Sequence, residues 1–579
     1  MVNKDDITYF AEADFRNKKT RFGIKRGDRP RHMYVIGKTG MGKSTLLENM
    51  AIQDIQNGEG LVVMDPHGAM AEKLLDYVPE HRIKDVIYFA PFDSSNPIAF
   101  NVMEDVGPDK RHLVASGLMS AFKKIWVDAW SARMEYILSN TILALLEYPD
   151  ATLLGVNRML SDKEYRKKVV DNISDASVRS FWVDEFAKYT ERFAAEATPA
   201  IQNKVGQFTS NPIIRNIIGQ PHSSFDVRKL MDEKKILIVN LSKGQLGEQN
   251  ANLLGSMLIT KIYLGAMSRA DLSAEELSKL PDFYLYIDEF QSFANEAFAD
   301  ILSESRKYKL NLIIAHQYVE QMPEEVQAAV FGNVGTTIAF RVGPLDAELL
   351  EKVFTPTFLI EDLINLGFAQ IYLSLMVDGV GSKPFSAQTI PPIKPPDKSF
   401  KEEIIANTRA TYAHPRTGVE ENIGEWHKKS VESPKISRPE QLPKKEFFEK
   451  KILGGNPPGR KEIRQETLRE TIGEIKKEVL KPTVDQSPKK ENYHQSSSYL
   501  APKKEKSQHI SLNYLSHNKK KEPSIENKLV LKEALLKAMA GRKEIPPIVK
   551  VSTPLSSPPS PNTEARKEIP EDVLRKVLE

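Results

Sequence analysis

Eight consecutive residues carry the groups needed to hold a polyphosphate. They are Gly37, Lys38, Thr39, Gly40, Met41, Gly42, Lys43 and Ser44, with Thr45 next in the chain. The spacing matches G-x-x-x-x-G-K-[ST], whose glycines let successive backbone N–H groups point at one anion. In this motif the lysine reaches the β- and γ-phosphates and the hydroxyl binds Mg²⁺, so we predict these roles for Lys43 and Ser44. The alternative is a glycine-rich turn between two elements.

The flanking sequence predicts the elements that this motif requires. The apolar run 32–36 predicts a buried strand, and residues 45–50 predict the start of a helix. A helix N-terminus adds partial positive charge at the phosphates. The order of strand, loop and helix therefore favours a phosphate loop, with Thr45 completing the predicted nucleotide-binding stretch.

A pair of adjacent acids supplies the groups that hydrolysis needs. Asp288 and Glu289 end a predicted strand at 283–289. We expect Asp288 to hold the Mg²⁺ shell and Glu289 to polarise the attacking water. Because the second acid is available as a base, the pair favours hydrolysis of ATP over a small-molecule kinase. Asp65 ends another predicted strand and is expected to help order the phosphate side.

Three more polar residues are candidates for sensing or stabilising the γ-phosphate. Gln317 follows the predicted strand 312–315, where an amide could bridge the phosphate or the water to another surface. Arg306 lies on the predicted helix after Glu289, which starts at the sheet edge that carries the subunit's own ATP. In a ring that edge can face the next subunit, so we predict that Arg306 acts there in trans. Arg341 is a weaker second candidate. The alternative for Gln317 is an ordinary polar strand end, and the alternative for both arginines is a surface position without a role.

Composition divides the 579 residues into a part with packed cores and a tail. Apolar periodic segments continue to about residue 390, after which Lys, Glu, Pro and Ser dominate. The formal net charge is +3, so any nucleic-acid contact must come from local patches. The absence of cysteine excludes disulfides, thiolate metal sites and cysteine nucleophiles, and it is typical of a reducing compartment.

Hydrophobic periodicity predicts an α/β fold with a mostly parallel sheet, because strands alternate with helices. The predicted strands lie at 32–36, 61–65, 85–89, 236–241, 283–289, 312–315, 335–342 and 369–377. Between 106 and 225 helical periods replace the strand patterns, which predicts an inserted all-helical domain. The predicted division is a basic segment at 1–30, an α/β domain at 31–105 and 226–390, the insertion at 106–225, and a disordered tail at 391–579.

The two ends of the chain are predicted to carry little packed structure. The first 30 residues are polar and basic, which indicates a solvated edge or, alternatively, a rim that faces the nucleotide or another subunit. We expect removal of residues 395–579 to leave a folded core, since the tail carries little apolar surface to offset its ordering entropy. Apolar islands in the tail, at 461–480, 525–540 and 571–578, are either transient helices or motifs for unknown partners.

The sequence predicts no secretory signal and no transmembrane segment. The first residues lack an apolar region, and the most apolar stretch, 253–267, is interrupted by Thr260 and Lys261. We therefore expect a cytoplasmic protein, or one that reaches the cytoplasmic face of a membrane through a partner.

These motifs in combination resemble the type IV secretion coupling-protein family, which comprises conjugative DNA-transfer ATPases of the HerA–FtsK superfamily. The resemblance covers about residues 20–390 and rests on GKTGMGKS, DPHG at 65–68, the helical insertion, YIDEFQSF at 286–293, SRKYKL at 305–310 and AHQY at 315–318. It implies a RecA-like phosphate-loop motor, a homo-hexameric ring with single-stranded or plasmid DNA in its pore, and a helical domain over the pore entrance. It also implies a catalytic pair of Asp288 and Glu289, a sensor role for Gln317 and a trans role for Arg306. Family members often begin with transmembrane helices, and this sequence predicts none. A secretion-channel subunit or the tail would then have to supply the attachment to a membrane.

Three functions remain open from the sequence. The first is an ATP-driven DNA translocase that acts as a secretion or conjugation coupling protein. The second is a HerA-like translocase in DNA repair or segregation, and the helical insertion favours the first over it. The third is an interaction scaffold that uses the nucleotide as a switch, against which an intact Glu289 argues.

Overall fold

The computed structural model describes residues 5–15, 18–104, 106–126 and 130–428. Their strands form an eleven-stranded sheet, in the order β2-β1-β13-β10-β9-β3-β8-β7-β4-β6-β5, and a small pair, β11-β12. In chain order the strands are β1 Ile7–Phe15, β2 Lys18–Lys25, β3 Met33–Ile36, β4 Gly60–Asp65, β5 Val86–Phe89, β6 Ile236–Asn240, β7 Phe283–Ile287, β8 Leu310–His316, β9 Thr336–Ala339, β10 Gln370–Ser374, β11 Met376–Val377, β12 Val380–Gly381 and β13 Phe385–Thr389.

Helices cover both faces of this sheet and build the insertion. In chain order they are α1 Lys43–Gln56, α2 Ala69–Leu75, α3 Arg111–Ile125, α4 Ala132–Leu146, α5 Gly155–Ser161, α6 Lys163–Asp171, α7 Ala176–Ser180, α8 Glu191–Ala197, α9 Pro199–Thr209, α10 Pro212–Ile218, α11 Val227–Asp232, α12 Lys243–Leu246, α13 Glu248–Met267, α14 Ala274–Lys279, α15 Phe298–Glu304, α16 Glu324–Asn333, α17 Pro344–Phe354, α18 Ile360–Ile364, α19 Lys401–Tyr412 and α20 Arg416–Lys428. Among the residues that the structure describes, no helix is both long enough and apolar enough to cross a membrane.

The central part of the sheet is parallel. Every pairing from β9 through β3, β8, β7, β4 and β6 to β5 runs in the same direction. Tyr34 and Ile36 face one apolar core, whereas Met33 and Val35 face the other. Strands buried on both faces need continuous apolar runs, which is why the sequence pattern detects them. The prediction of an α/β fold with a mostly parallel sheet is confirmed.

The prediction of a merely polar, basic segment at 1–30 is wrong. Residues Ile7–Phe15 and Lys18–Lys25 form a hairpin that joins β13 and extends the sheet antiparallel. Phe10 and Phe22 are buried, and their rings meet edge to face at 5.6 Å. The pattern is hidden because a register shift between Tyr9 and Ala11 interrupts the alternation, and because β2 is an edge strand that bears exposed lysines.

The insertion is helical in its described residues between 106 and 225, from α3 to α10. Its core residues, such as Ile137 and Ile201, belong to the same apolar cluster as Tyr34 of the sheet. Helix α3 lies very close to α13, since a Cβ added to Gly117 would come within 2.3 Å of the Thr260 Cγ2 atom. The predicted all-helical insertion is therefore confirmed, and it packs directly on the nucleotide-binding part of the chain.

The predicted start of the tail at residue 391 is wrong. Helix α19 covers β5, and the Thr408 hydroxyl donates to the Val86 carbonyl at 3.3 Å. Helix α20 packs on the insertion through Val419, Ile423 and Trp426. The few apolar residues of this polar stretch are helically spaced and fill existing grooves, so little apolar area suffices. Residues 429–579, with the three predicted islands, lie outside the described residues.

Candidate nucleotide site

The predicted phosphate loop connects β3 to α1 at the carboxyl edge of the parallel strands. Gly40 and Gly42 have φ angles of 76° and 115°, a region that side chains rarely adopt. A Cβ at Gly37 would lie 2.5 Å from the Phe340 Cβ atom. The Gly37 N–H donates to the His316 carbonyl at 3.2 Å, which ties the loop to the end of β8. The backbone therefore requires these glycines.

Lys43 is folded back onto the loop that it follows. Its Nζ atom donates to the carbonyls of Gly37 at 2.7 Å and Lys38 at 3.2 Å, and the residue is buried. Burial lowers the pKa of Lys43, while the charges of Glu289 and Asp288 raise it. A cation that is held only by neutral carbonyls can exchange them for phosphate oxygens, so this residue fits the predicted role.

The Ser44 hydroxyl and the Asp288 carboxylate lie together, as a Mg²⁺ site requires. The Ser44 Oγ atom donates to Asp288 Oδ2 at 2.8 Å, and the Glu289 N–H donates to Asp288 Oδ1 at 3.0 Å. Burial raises the pKa of Asp288 to about 6, and the charges of Glu289 and Asp65 act in the same direction. A nearby divalent cation would stabilise the ionised carboxylate, so the pair fits Mg²⁺. Thr45 is half-buried in the same turn of α1.

Two amides orient Glu289. Its backbone is left-handed, with φ 48° and ψ 52°, and the residue is 7% exposed. The Gln291 side chain donates to one carboxylate oxygen and the Gln317 side chain donates to the other. Gln317 Oε1 in turn accepts from the Thr39 hydroxyl at 3.0 Å. A chain of hydrogen bonds therefore runs from the phosphate loop through Gln317 to the predicted base.

Asp65 has a local task in the structure. Its two carboxylate oxygens accept the N–H groups of His67 at 2.8 Å and Ala71 at 3.0 Å, which stabilises the start of α2. The residue is 1% exposed, and its charge raises the pKa of Asp288. Asp65 therefore stabilises the start of α2, and its expected role on the phosphate side stays a prediction.

Arg306 does not lie at the sheet edge expected from the sequence. It is exposed on the 3₁₀ turn Ser305–Tyr308, directly before β8. The Ser305 hydroxyl is 3.5 Å from His32 Nε2, and His32 directly precedes β3. Helix α15 starts near Glu289 but carries the chain across the sheet, as the crossover between parallel strands must. Arg306 therefore lies about 20 Å from its own phosphate loop, given a strand rise of about 3.3 Å per residue.

Arg341 is the arginine that the fold brings to its own phosphate loop. It follows β9, and its carbonyl accepts the Lys38 N–H at 2.8 Å. Its side chain is half-buried. The sequence placed Arg341 inside a strand ending at 342, but β9 ends at Ala339 and the next residues turn along the loop.

Two lysines that the sequence pattern does not single out lie beside the acidic pair. Lys124, at the end of α3, donates to the Gln291 carbonyl at 2.6 Å, and Lys243 donates to the Ser292 hydroxyl at 3.0 Å. Burial lowers the pKa of Lys124 to about 7, and the charge of Lys243 adds to this effect. A lysine near a helix C-terminus is common, so no feature of the sequence marks Lys124.

Comparison with known families bears on this arrangement. The family described as the type IV secretion-system coupling protein DNA-binding domain matches residues 22–354, which is more than half of the chain. The chain belongs to this family. The matched range of the coupling-protein domain includes the phosphate loop, the acidic pair, both arginines and the helical insertion. The resemblance noted from the motifs is thus confirmed at the level of the family.

Solved structures include proteins with a similar chain course. The conjugative coupling protein TrwBdeltaN70 is 15% identical over 66% of this chain and 89% of its own, with a TM-score of 0.49. TrwB in complex with ADP and Mg²⁺ is 15% identical over 64% and 89%, with a TM-score of 0.48. VirB4 of Thermoanaerobacter pseudethanolicus is 12% identical over 67% and 98%, with a TM-score of 0.46. The curated proteins gave no match.

Proposed function

We propose that this protein is an ATP-driven DNA translocase that serves as a type IV secretion or conjugation coupling protein. Two findings support the proposal: membership of a family described as a DNA-binding domain, and a phosphate loop joined to an oriented acid. The proposed assembly is a homo-hexameric ring with single-stranded or plasmid DNA in its pore. We propose a cytoplasmic location, with a secretion-channel subunit as the contact at the membrane and further partners for the tail.

The described residues divide the chemistry of ATP hydrolysis among them. Lys43 and the N–H groups of the loop bind the phosphates, and Ser44 and Asp288 would hold Mg²⁺. The metal ion, when bound, neutralises charge on the β- and γ-phosphates. Glu289 takes a proton from the attacking water, in the orientation that its two amide partners set.

The hydrogen-bond chain from Thr39 through Gln317 to Glu289 is the observation that carries this proposal. A nucleotide switch needs a phosphate loop but no positioned base, whereas here two side-chain amides hold the carboxylate of Glu289. Gln317 touches both the loop and the base, so a change at the γ-phosphate would reach Glu289 through one residue. The arrangement favours a hydrolytic motor over a scaffold, and family membership favours a coupling protein over a HerA-like repair enzyme.

Arg306 would complete the site of a neighbouring subunit. Because it lies at the opposite edge of its own sheet, its guanidinium can serve only another subunit's phosphates. A ring that places this edge against the next phosphate loop would supply an arginine in trans, which stabilises the charge of phosphoryl transfer.

Substitution of the base tests the proposal. Glu289→Gln should keep ATP binding, because one neighbouring amide can rotate to match the new one, but it should lose about 100-fold or more in turnover. The control is Glu296→Gln, since Glu296 lies on the same loop in an exposed ion pair with Lys123. Turnover is measured with and without single- and double-stranded DNA, and we expect DNA to stimulate the wild type. Normal turnover by Glu289→Gln, or wild-type turnover that does not change when DNA is added, would contradict the proposed motor function.

A further inference from the structure

The end of helix α3 reaches the loop that carries the predicted base. Lys124 donates to the Gln291 carbonyl at 2.6 Å, and the side chain of the same Gln291 donates to Glu289. Two hydrogen bonds thus connect the helical insertion to the catalytic carboxylate. Lys123, one residue earlier, makes an ion pair with Glu296 on the same loop, but there the two side chains are 44% and 48% exposed.

The loop after the acidic pair is held by helices and not by strand pairing. The Ser256 hydroxyl of α13 donates to the Phe293 carbonyl at 3.3 Å, and Lys243 contacts Ser292. Two residues of the insertion contact this loop, Lys123 and Lys124, and of the two it is Lys124 that bonds Gln291. Since burial lowers its pKa to about 7, the fold gives up much of the solvation of a lysine to make this contact.

We propose that Lys124 is a positioning residue for hydrolysis, which holds Gln291 so that the Gln291 amide orients Glu289. The proposal rests on the proposed function, because it requires Glu289 to be the base. It also gives the insertion a role in hydrolysis: a displacement of α3, such as one caused by DNA on the insertion, would move the loop and the carboxylate together. ATP binding does not depend on this contact, since Lys43 and Ser44 are held by other residues.

The test compares two neighbouring lysines in the full-length chain. Lys124→Met removes the donor but keeps most of the volume, and we expect kcat to fall about tenfold or more with the Kd for ATP within about twofold. Lys123→Met removes the same charge from the same turn of α3 and should leave both values within about twofold. Equal losses in the two variants would mean a general charge effect and would overturn the proposal.

A double-mutant cycle separates positioning from simple packing. If Lys124 acts through Gln291, then Lys124→Met should lower kcat little further in a Gln291→Ala background. Additive losses, or a loss that follows a fall in Tm, would mean a structural role and would also overturn the proposal. Glu289→Gln is measured alongside: normal turnover there rejects the proposed function, whereas normal turnover of Lys124→Met beside an inactive Glu289→Gln rejects the role of Lys124 alone.

Discussion

At the scale of single residues, Glu289 combines a strained backbone with a well-held side chain. A left-handed backbone costs a residue with a side chain about 1 kcal/mol or more. Here the Glu289 N–H bonds to Asp288 and both carboxylate oxygens accept amide hydrogens, so the contacts offset that cost. Through Gln317, which also accepts from the Thr39 hydroxyl, the carboxylate is linked to the phosphate loop.

A buried histidine at the sheet edge opposite the phosphate loop gives the fold a predictable response to acid. His32 is 1% exposed, its Nδ1 atom accepts the Leu312 N–H at 3.1 Å, and the Ser305 hydroxyl lies 3.5 Å from its Nε2 atom. Burial lowers the pKa of His32 to about 4, and the charge of Arg306 adds to this effect. Below pH 6.5 His32 binds a proton in the unfolded chain but not in the folded state, so this histidine lowers the stability of the fold as the pH falls.

His32→Asn should reduce this response, whereas the second buried histidine, His316, keeps its own part of it in every variant. The backbone of residue 32, with φ 61° and ψ 164°, is strained for histidine and asparagine alike, and the asparagine carbonyl oxygen can replace Nδ1 as the acceptor of the Leu312 N–H. Between pH 6.5 and 5 the wild type should lose about 1.6 kcal/mol more unfolding free energy than the variant, because the unfolded histidine is already half protonated at pH 6.5. Urea unfolding at both pH values measures the difference. The control, His67→Asn at an exposed histidine, should follow the wild type, and equal slopes for all three proteins would count against the assignment.

At the scale of elements, the sequence predicts what local pattern determines. The parallel strands bury both faces, so continuous apolar runs such as 236–241 mark them, and the phosphate loop needs a strand before it and a helix after it. The hairpin of β1 and β2 was missed because a register shift breaks its alternation. The sequence does not single out Lys124 and ranks Arg341 behind Arg306, because the positions of both depend on how α3 and β9 end against elements distant in sequence.

Helices α19 and α20 give the clearest correction to a compositional argument. Their sequence is polar, yet Ile404 is fully buried in the apolar core on one face of the sheet, and Val419 and Ile423 are nearly so on the insertion. Arg158 adds a hydrogen bond to the Trp426 carbonyl at 2.9 Å. The stretch 391–428 is therefore a strap that packs on both the sheet and the insertion.

Truncation tests the strap directly. A chain that ends at residue 428 should melt like the full chain, because the residues beyond are rich in Lys, Glu, Pro and Ser. A chain that ends at residue 394 lacks these helices. Its free energy of unfolding should fall by about 1.5–3 kcal/mol for each fully buried apolar side chain that is removed, so its Tm should fall by at least about 5 °C. Calorimetry on the three proteins measures this. Identical melting of the two truncated chains would show that the strap adds nothing to stability.

At the scale of the whole molecule, the two arginines divide between the two edges of the sheet. Arg341 lies beside its own phosphate loop, whereas Arg306 lies with His32 at the far edge. A site that needs Arg306 is incomplete in a monomer, so ATP turnover should rise more than linearly with protein concentration until rings form. A site that needs only Arg341 would be complete in one subunit, and its turnover would be proportional to concentration.

Mixing inactive variants decides which edge supplies the arginine. Arg306→Ala should bind ATP nearly as well as the wild type but lose about 10³-fold or more in turnover, the scale of other trans arginines. Mixed with Lys43→Ala, it forms interfaces that join an intact phosphate loop to an intact Arg306 of the neighbour, and these should recover part of the activity. Glu289→Gln mixed with Lys43→Ala is the matched control, because every site then lacks either ATP binding or its base, whichever subunit lies next to it. Recovery in the control as well would mean subunit exchange or contamination, and normal turnover of Arg306→Ala alone would exclude the trans role.

Arg341→Ala mixed with Lys43→Ala should stay inactive if Arg341 contributes to turnover in its own subunit, so recovery that is confined to the Arg306 pair would place the catalytic arginine at the subunit boundary.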